Sequence, residues 1–217
     1  MSSVSPDFTP AQCGHSRNLP RVLSLTFDDG PDATWTPRIL DELDHLGARA
    51  TFFMVGERVL ARPDLVRLVL DSGHEVQLHC HRHIRHTELT GHALERDTEL
   101  GLAALRRVGA SPSLWRTPWG ILSEASACVA ERFALQLVGW SIDTHDWRGD
   151  EPQAMLADAR GQIADGGAVL MHDALGPGAR RTGCENTIAL LSPLSEQAGG
   201  HGLTIAPMGQ PGAGVLV

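Results

Sequence analysis

The segment VLSLTFDDGPDATWTPRILDELDHL, residues 22–46, contains the pattern from which the fold of the chain is predicted. Its first part, Val22–Phe27, is a short and mostly apolar run of the kind that forms a buried strand. The next residues, DDGP at 28–31, favour a turn, because Asp, Gly and Pro each suit tight backbone bends. The amphipathic stretch Thr36–Leu46 then predicts a helix. The segment therefore predicts a strand–turn–helix unit with two carboxylates at the end of the strand.

The same alternation of short strands and longer helices continues along the chain. The further predicted strands are short apolar or β-branched runs: Ala50–Val55, His74–His79, Ser113–Thr117, Leu135–Ser141, Ala168–Met171 and Leu203–Pro207. The further predicted helices are amphipathic: Pro63–Asp71, Ala93–Val108, Ser123–Arg132, Pro152–Ile163 and Thr187–Gln197. Strands and helices that alternate in this way form βαβ units with a parallel sheet. About seven such units predict a single α/β domain, a (β/α) barrel of seven or eight parallel strands.

The composition is that of a soluble globular protein. Of the 217 residues, 42% are hydrophobic and 20% are charged, which is ordinary for one folded domain. The formal net charge of -8 argues against a nucleic-acid-binding surface. No apolar run reaches the roughly 18 residues that a membrane span requires. We therefore expect neither nucleic acid nor a membrane span, and the oligomeric state stays open.

The chain divides into three predicted parts: a leader at residues 1–20, a folded domain at 21–208 and a flexible Gly-rich tail at 209–217. The leader lacks the basic start and apolar run of a secretory signal. A cytoplasmic protein is therefore expected, or a secreted one if an export signal precedes this sequence. The cysteines form no C-x-x-C pair and are expected to be free thiols; they are Cys13, Cys80, Cys128 and Cys184.

Reactive side chains occur where the predicted strands end. They are Asp28, Asp29, His79, Arg116, Asp143, Asp146 and His172. In a parallel barrel the carboxyl ends of all strands lie on one rim, where active sites form. The sequence therefore predicts one active site on that rim.

The stretch HCHRH is compatible with a metal site, and a solvated His-rich loop is the alternative. On a helical turn, His79 and His83 share one face, as two metal ligands must. In an extended segment His79, His81 and His83 share a face instead, so the spacing leaves both arrangements open. Asp29 can add a carboxylate oxygen from the neighbouring part of the rim. Two imidazoles and one carboxylate leave coordination positions for water and substrate, as in catalytic sites.

Five motifs, taken in order, resemble those of the polysaccharide deacetylases, which form carbohydrate esterase family four and share a nodulation-type chitooligosaccharide deacetylase homology domain. The motifs are TFDDGP at 26–31, HCHRH at 79–83, RTPWG at 116–120, DTHDW at 143–147 and LMH at 170–172. The family patterns are TFDDGP, H-[ST]-x-x-H, R-x-P-Y-G, D-x-x-D-W and L-x-H. The matches cover essentially the whole of residues 21–208. The resemblance therefore implies a catalytic domain with the family's distorted (β/α) barrel.

The resemblance implies a metal-dependent hydrolase that removes an N-acetyl group from an amino sugar or from a related N-acylated small molecule. Asp29, His79 and His83 would bind one divalent ion, usually Zn²⁺ in this family, with Co²⁺, Ni²⁺ or Mn²⁺ as alternatives. Such an ion polarises the acetyl carbonyl and lowers the pKa of bound water.

The resemblance also implies an acid–base pair. Asp28, paired with Arg116, would take a proton from the water, and His172 would protonate the departing nitrogen. Asp146 would accept a hydrogen bond from His172, fixing its tautomer and raising its pKa. The backbone N–H of Trp119 would stabilise the oxyanion.

Substrate contacts are expected from residues in or after the later motifs: Pro118, Trp147, Leu170, Arg180 and Arg181. Trp147 would form an apolar wall for the acetyl methyl group or a sugar face. Arg180 and Arg181 would bind an anionic substrate group, and the alternative is that these arginines bind nothing specific.

The chain departs from the family pattern at the metal loop and at the third motif. Cys80 stands where the family has Ser or Thr, and a thiol donates only weak hydrogen bonds. Cys80 as an additional metal ligand is an alternative. Trp119 replaces Tyr, which matters little if only its N–H is used. No departure removes a catalytic atom.

Other functions remain as alternatives. An O-acetyl esterase of the acetylxylan type would use the same fold and residues. An iron-dependent oxygenase is a different class, since two His and one carboxylate also hold Fe(II). An inactive metal-containing carbohydrate-binding module is the third. The base–arginine and acid–aspartate pairs argue against the oxygenase, since oxygen activation does not need them. The intact Asp28, Arg116 and His172 argue against the inactive module.

Overall fold

The computed structural model describes residues 21–209. The predicted leader at 1–20, and the predicted tail at 209–217 apart from its first residue, lie outside the described residues.

Eight strands of the described part form one sheet. They are β1 (Val22–Asp28), β2 (Thr51–Val55), β3 (Glu75–Cys80), β4 (Leu114–Trp115), β5 (Gln136–Leu137), β6 (Ile142–Asp143), β7 (Gly167–His172) and β8 (Thr204–Ile205). Seven of them follow the order β5-β4-β3-β2-β1-β7-β6, and β8 pairs with the beginning of β1. Every pair is parallel. The predicted single α/β domain with a parallel, distorted barrel sheet is confirmed.

Seven α-helices cover the sheet in the described residues. They are α1 (Trp35–His45), α2 (Gly56–Ala61), α3 (Pro63–Asp71), α4 (Gly91–Arg107), α5 (Ser126–Arg132), α6 (Pro152–Arg160) and α7 (Glu185–Gly200). The sequence does not predict α2, because six residues directly after a strand are too few to show helical periodicity. Between residues 21 and 209, no helix combines the length and the apolar character needed to cross a membrane.

The barrel is distorted where one predicted strand is broken in two. The prediction of a single strand at Leu135–Ser141 is wrong, because the chain changes neighbours within it. Val138 donates its backbone N–H to Trp115 beside β4, whereas Ser141 donates to Ala168 of β7, each at 3.0 Å. Strands β5 and β6 consequently lie at the two ends of the sheet order, although they are consecutive in the chain. The apolar composition is similar on both sides of the break, so the pattern contains no sign of it.

Strand β1 connects the core to the rim. All seven of its residues are buried, as expected for a central strand covered on both faces. Leu23, Leu25 and Phe27 belong to the main hydrophobic cluster, and the Phe27 ring stacks on Phe52 at 5.0 Å. Because side chains alternate along a strand, Thr26 and Asp28 face the other side. Packing of the apolar face therefore fixes the direction of the Asp28 carboxylate.

Candidate active site

The end of β1 presents two successive carboxylates in different directions. Asp28 is the last residue of the strand, and Asp29 has a φ of 78°. This left-handed backbone is uncommon for a residue other than glycine, and it reorients the chain after the strand. The Asp28 carboxylate consequently contacts Arg116, whereas the Asp29 carboxylate contacts His79 and His83.

Asp29, His79 and His83 form a group that can hold a metal ion. Their ligand atoms all lie within 4.8 Å of one another. Asp29 Oδ1 is 3.5 Å from His79 Nε2 and 3.0 Å from His83 Nε2. This buried oxygen accepts no hydrogen bond of normal geometry within residues 21–209. Two imidazoles and a carboxylate around one point are the donor set of a catalytic zinc site, so the residues fit a divalent cation.

The ionised state of the Asp29 carboxylate also suits a cation. Burial by itself would raise the pKa of Asp29, but the neighbouring His79 and His83 imidazoles lower it well below its usual value. His79 Nδ1 is 2.7 Å from the carbonyl oxygen of Arg116. A hydrogen bond there leaves Nε2 of the ring to face Asp29, which is the arrangement typical of metal-binding histidines.

The segment from His79 to His83 is neither a helical turn nor fully extended, the two arrangements that the spacing allowed. His79 belongs to β3, while His83 lies three residues beyond the end of that strand, directly after a bend at residues 81–82. His81 lies outside the group, with its Nδ1 near Gly56. A carboxylate from α4 supports this loop: Asp97 accepts from the backbone N–H of His81 at 2.8 Å and from that of Arg82 at 3.0 Å.

Cys80 does not join the metal group. Its side chain is buried, and burial raises the pKa of the thiol well above its usual value. The thiol is therefore protonated, and it is not among the three clustered ligand residues of the described part. Within residues 21–209, the three cysteines Cys80, Cys128 and Cys184 are free, as predicted. Cys13 lies outside the described residues.

Arg116 is fully buried and binds the carboxylate at the end of β1. Its Nη1 donates to Asp28 Oδ1 at 2.9 Å and to Thr26 Oγ1 at 2.6 Å. Its Nη2 donates to the carbonyl oxygen of Gly139 at 2.8 Å, in the segment where the sheet breaks. The distortion of the barrel thus supplies one of the contacts that hold Arg116 against Asp28.

His172, at the end of β7, pairs with Asp146. His172 Nδ1 is 2.7 Å from Asp146 Oδ1, and its backbone N–H donates to Oδ2 at 2.9 Å. Burial would lower the pKa of His172, but the charge and hydrogen bond of Asp146 outweigh it and raise that pKa to about 9. The imidazole is therefore protonated at neutral pH in the metal-free protein.

These groups line one cavity of about 240 Å³. Asp28, Asp29, His79, His83 and His172 all contribute to its wall. The apolar part of the wall consists of Trp119, Trp140, Trp147 and Leu170, and the loop residues Gly176, Pro177 and Gly178 form another part. The cavity therefore combines a polar cluster with an apolar wall, as small-molecule sites do.

The loop after β7 approaches the metal group closely. A Cβ atom on Gly176 would lie 1.8 Å from Asp29 Oδ2, so any side chain at this position would clash with the carboxylate. Gly176 therefore allows the loop backbone to cover the outer oxygen of Asp29.

The predicted substrate residues have different positions. Trp147 and Leu170 line the cavity. Pro118 is buried and is not among the described lining residues. The Arg180 guanidinium lies 5.7 Å from the centre of the Trp147 ring. Arg181 lines the cavity, but its side chain is only 5% exposed and its guanidinium binds Asp146 at 2.7 Å. The expectation that Arg181 binds a substrate anion does not fit these contacts.

Sequence reasoning missed several residues that support the site. Asp97 and Thr187 are on helices, and Gly176 is in a loop, and none belongs to a motif. Their partners are far away in the chain, so spacing contains no signal for them. Trp140 comes shortly before the DTHDW motif, where its proximity is the only available signal.

The described part of the chain is thus a parallel α/β barrel in which an Asp-His-His group, a carboxylate–arginine pair and a histidine–aspartate pair lie around one cavity. The family described as polysaccharide deacetylase matches residues 15–138. A peptidoglycan-N-acetylglucosamine deacetylase of Bacillus cereus is 35% identical over 158 residues, which are 72% of this chain and 74% of the relative. A chitooligosaccharide deacetylase of Bradyrhizobium is 31% identical over 197 residues, 88% of this chain and 90% of the relative.

A solved structure shows the same fold. A family 4 carbohydrate esterase from Streptomyces lividans in complex with acetate has a TM-score of 0.80 at 29% identity, covering 90% of this chain and 97% of that one. The chain belongs to the polysaccharide deacetylase family, and it is a deacetylase in the hydrolase class.

Proposed function

We propose that this chain is a metal-dependent deacetylase that removes an N-acetyl group from an amino sugar or a related N-acylated substrate. The observation that carries the proposal is the position of Asp28 and His172. They end two adjacent strands in register and line the same cavity as the Asp29–His79–His83 group. A candidate proton acceptor, a candidate proton donor and a candidate metal group thus surround one space, which is the combination that metal-assisted amide hydrolysis uses.

Asp29, His79 and His83 would hold the cation. When bound there, a divalent ion supplies a Lewis acid that polarises the acetyl carbonyl and acidifies water. Asp29 contributes the negative charge, and the histidines contribute neutral nitrogen ligands. Zn²⁺ suits this donor set, and Co²⁺, Ni²⁺ and Mn²⁺ are alternatives to be compared by loading the protein with each.

Asp28 acts as the general base in this proposal. It takes one proton from the attacking water, and Arg116 holds its Oδ1 in place. Because Arg116 is buried and also bound to Thr26 and Gly139, the carboxylate cannot rotate away from the cavity without breaking these contacts. The base is thereby oriented before substrate binds.

His172 acts as the general acid. The amine leaving group departs only after its nitrogen gains a proton, and protonated His172 supplies that proton. Asp146 engages Nδ1, so Nε2 is the nitrogen left to face the cavity. The backbone N–H of Trp119, in a turn with a φ of 55°, is assigned to the oxyanion.

The cavity wall supports a sugar substrate. Trp119, Trp140 and Trp147 place three indole rings around the polar group, and aromatic faces suit both an acetyl methyl and the apolar face of a pyranose. The names of the relatives support the same class, since they act on peptidoglycan N-acetylglucosamine and on chitooligosaccharides.

The decisive experiment measures acetate release from a panel of substrates. The zinc-loaded protein is incubated with N-acetylglucosamine, chitooligosaccharides, peptidoglycan fragments and acetylated xylan, with and without a chelator. Chelator-sensitive release from an N-acetyl sugar supports the proposal. Release from acetylated xylan alone would replace it with an O-acetyl esterase, and release that the chelator does not affect would contradict the role of the metal.

The matched control is Arg160→Met. Arg160 is exposed at the end of α6, so this variant should retain the wild-type rate. His79→Ala and His83→Ala should each lose both bound metal and activity.

A further inference from the structure

Two buried arginines hold carboxylates at this active site. Arg116 binds Asp28 and belongs to the RTPWG motif. Arg181 lies in the loop after β7 and binds Asp146, and its side chain is 5% exposed. The sequence predicts for Arg181 either contact with a substrate anion or no specific binding, and its contacts in the structure point to a third role.

The Arg181 guanidinium is fully engaged within the protein at both terminal nitrogens. Nη1 donates to Asp146 Oδ2 at 2.7 Å and also to Thr187 Oγ1. Nη2 donates to the carbonyl oxygens of His172 at 3.0 Å and Ala174 at 3.2 Å. The guanidinium thus ties together the end of β7, the turn that contains Asp146, and helix α7. It has no terminal donor left for a substrate anion.

The Asp146 carboxylate is held by all of these elements. Its Oδ2 accepts from Arg181, from Thr187 Oγ1 at 2.8 Å and from the backbone of His172 at 2.9 Å. Its Oδ1 is then directed at His172 Nδ1, 2.7 Å away. Loss of Arg181 removes the strongest of the Oδ2 contacts, because a charge-assisted hydrogen bond exceeds a neutral one.

We propose that Arg181 is a positioning residue that holds the Asp146 carboxylate in the orientation where Oδ1 engages His172 Nδ1 and leaves Nε2 for the leaving group. Its role rests on the proposed function only in that His172 is the proton donor. The charges support the arrangement. Burial would raise the pKa of Asp146, but His172, Arg181 and Thr187 together lower it, so the carboxylate stays ionised as a hydrogen-bond acceptor.

The kinetic test compares two substrates of zinc-loaded enzyme. One is a chitooligosaccharide, whose amine must be protonated, and the other is 4-nitrophenyl acetate, whose leaving group needs no proton. Arg181→Met should lower kcat roughly 10- to 100-fold on the amide but less than about threefold on the ester, because it acts only through the general acid. Arg181→Lys should recover part of the amide rate, since a lysine keeps the charge but not the fork of donors.

A double-mutant cycle shows whether Arg181 acts through Asp146. In an Asp146→Asn background, adding Arg181→Met should cost less than about twofold further, since the two changes remove one interaction. Equal losses on amide and ester, or losses that multiply in the double variant, would overturn the proposal. If thermal unfolding shows that Arg181→Met does not fold, the same comparison is made with Arg181→Lys. Its loss of kcat must again be larger on the amide than on the ester.

A second measurement does not depend on turnover. The low-field NMR resonance of the His172 Nδ1 proton, identified by its absence from His172→Gln, should be present in the zinc-loaded wild type and in Arg160→Met. It should disappear in Asp146→Asn and in Arg181→Met. A resonance that is unchanged in Arg181→Met would overturn the positioning role. If the resonance responds as expected while no acetate is released from any substrate, the proposed function fails and the positioning role stands.

Discussion

Asp28 and His172 are direct register partners on the adjacent parallel strands β1 and β7. Both side chains line the cavity that contains the metal group. Their separation is therefore set by strand pairing rather than by loops, and strands hold functional groups more rigidly than loops do. Each has its own buried partner, Arg116 for Asp28 and Asp146 for His172. The relative position of the proposed base and the proposed acid is thus fixed by the backbone pairing of β1 with β7.

Substitution Asp28→Asn should leave metal binding intact, because Asp29 and the two histidines supply the ligands. The amide cannot accept the proton of water, so kcat on an N-acetyl sugar should fall by roughly two to four orders of magnitude. Metal content by elemental analysis and acetate release check the two halves of this expectation. Loss of metal from Asp28→Asn would mean that this carboxylate is a ligand instead.

The alkaline limb of the pH profile should report His172. Burial opposes its protonation, but Asp146 outweighs burial and raises the pKa to about 9. Because His172 works in its protonated form, kcat/KM on an amide should decline as pH rises through the pKa of this group. Asp146→Asn removes the raising charge, so the limb should move to lower pH by about one unit or more.

The wild type and Asp146→Asn are both compared with zinc bound, because the cation shifts the alkaline limb of each pH profile in the same direction. Asp158→Asn is the control, because Asp158 is half exposed and pairs with Arg148, and its profile should match the wild type. If the alkaline limb of Asp146→Asn lies at the same pH as that of the wild type, His172 is not the group that sets this limb.

Asp97→Ala should weaken metal binding without removing a ligand. Asp97 accepts the backbone N–H groups of His81 and Arg82, so its loss frees the loop that presents His83. Outer-shell changes of this kind cost roughly 10- to 100-fold in metal affinity. Glu99→Ala, an exposed residue on the same helix, should leave the affinity unchanged. Calorimetric zinc titration measures both, and equal affinities would show that the loop needs no support from α4.

Gly176→Ala should also weaken metal binding, for a steric reason. The added Cβ would lie 1.8 Å from Asp29 Oδ2, so either the loop or the ligand carboxylate must move. Gly161→Ala is a matched control, because a Cβ there would meet nothing within 4 Å. Zinc affinity and thermal unfolding temperature should fall for the first variant and not for the second. Wild-type affinity in Gly176→Ala would show that the loop moves freely.

Much of the fold was predictable because the signals are local. The strand-and-helix alternation of a parallel barrel is visible in short windows, and the strands at Val22–Asp28 and Gly167–His172 lie within a residue of their predicted limits. The break after Leu137 was not predictable, because it depends on pairing with β4 on one side and β7 on the other. That choice of neighbours is a property of the assembled sheet and leaves no trace in the local pattern.

The sequence by itself determined which reactive groups come together, since they lie at or shortly after the ends of strands that share one rim: Asp28, Asp29, His79, Arg116, Asp146 and His172. Only the tertiary structure decided how the groups are held. The Arg181 guanidinium binds Asp146, Asp97 accepts the backbone N–H of His81 in the histidine loop, and Gly176 lies against Asp29. The physical reason is the range of the interactions. Strand ends are placed by periodicity along the chain, whereas these hydrogen bonds and close approaches join elements that meet only after the barrel has formed.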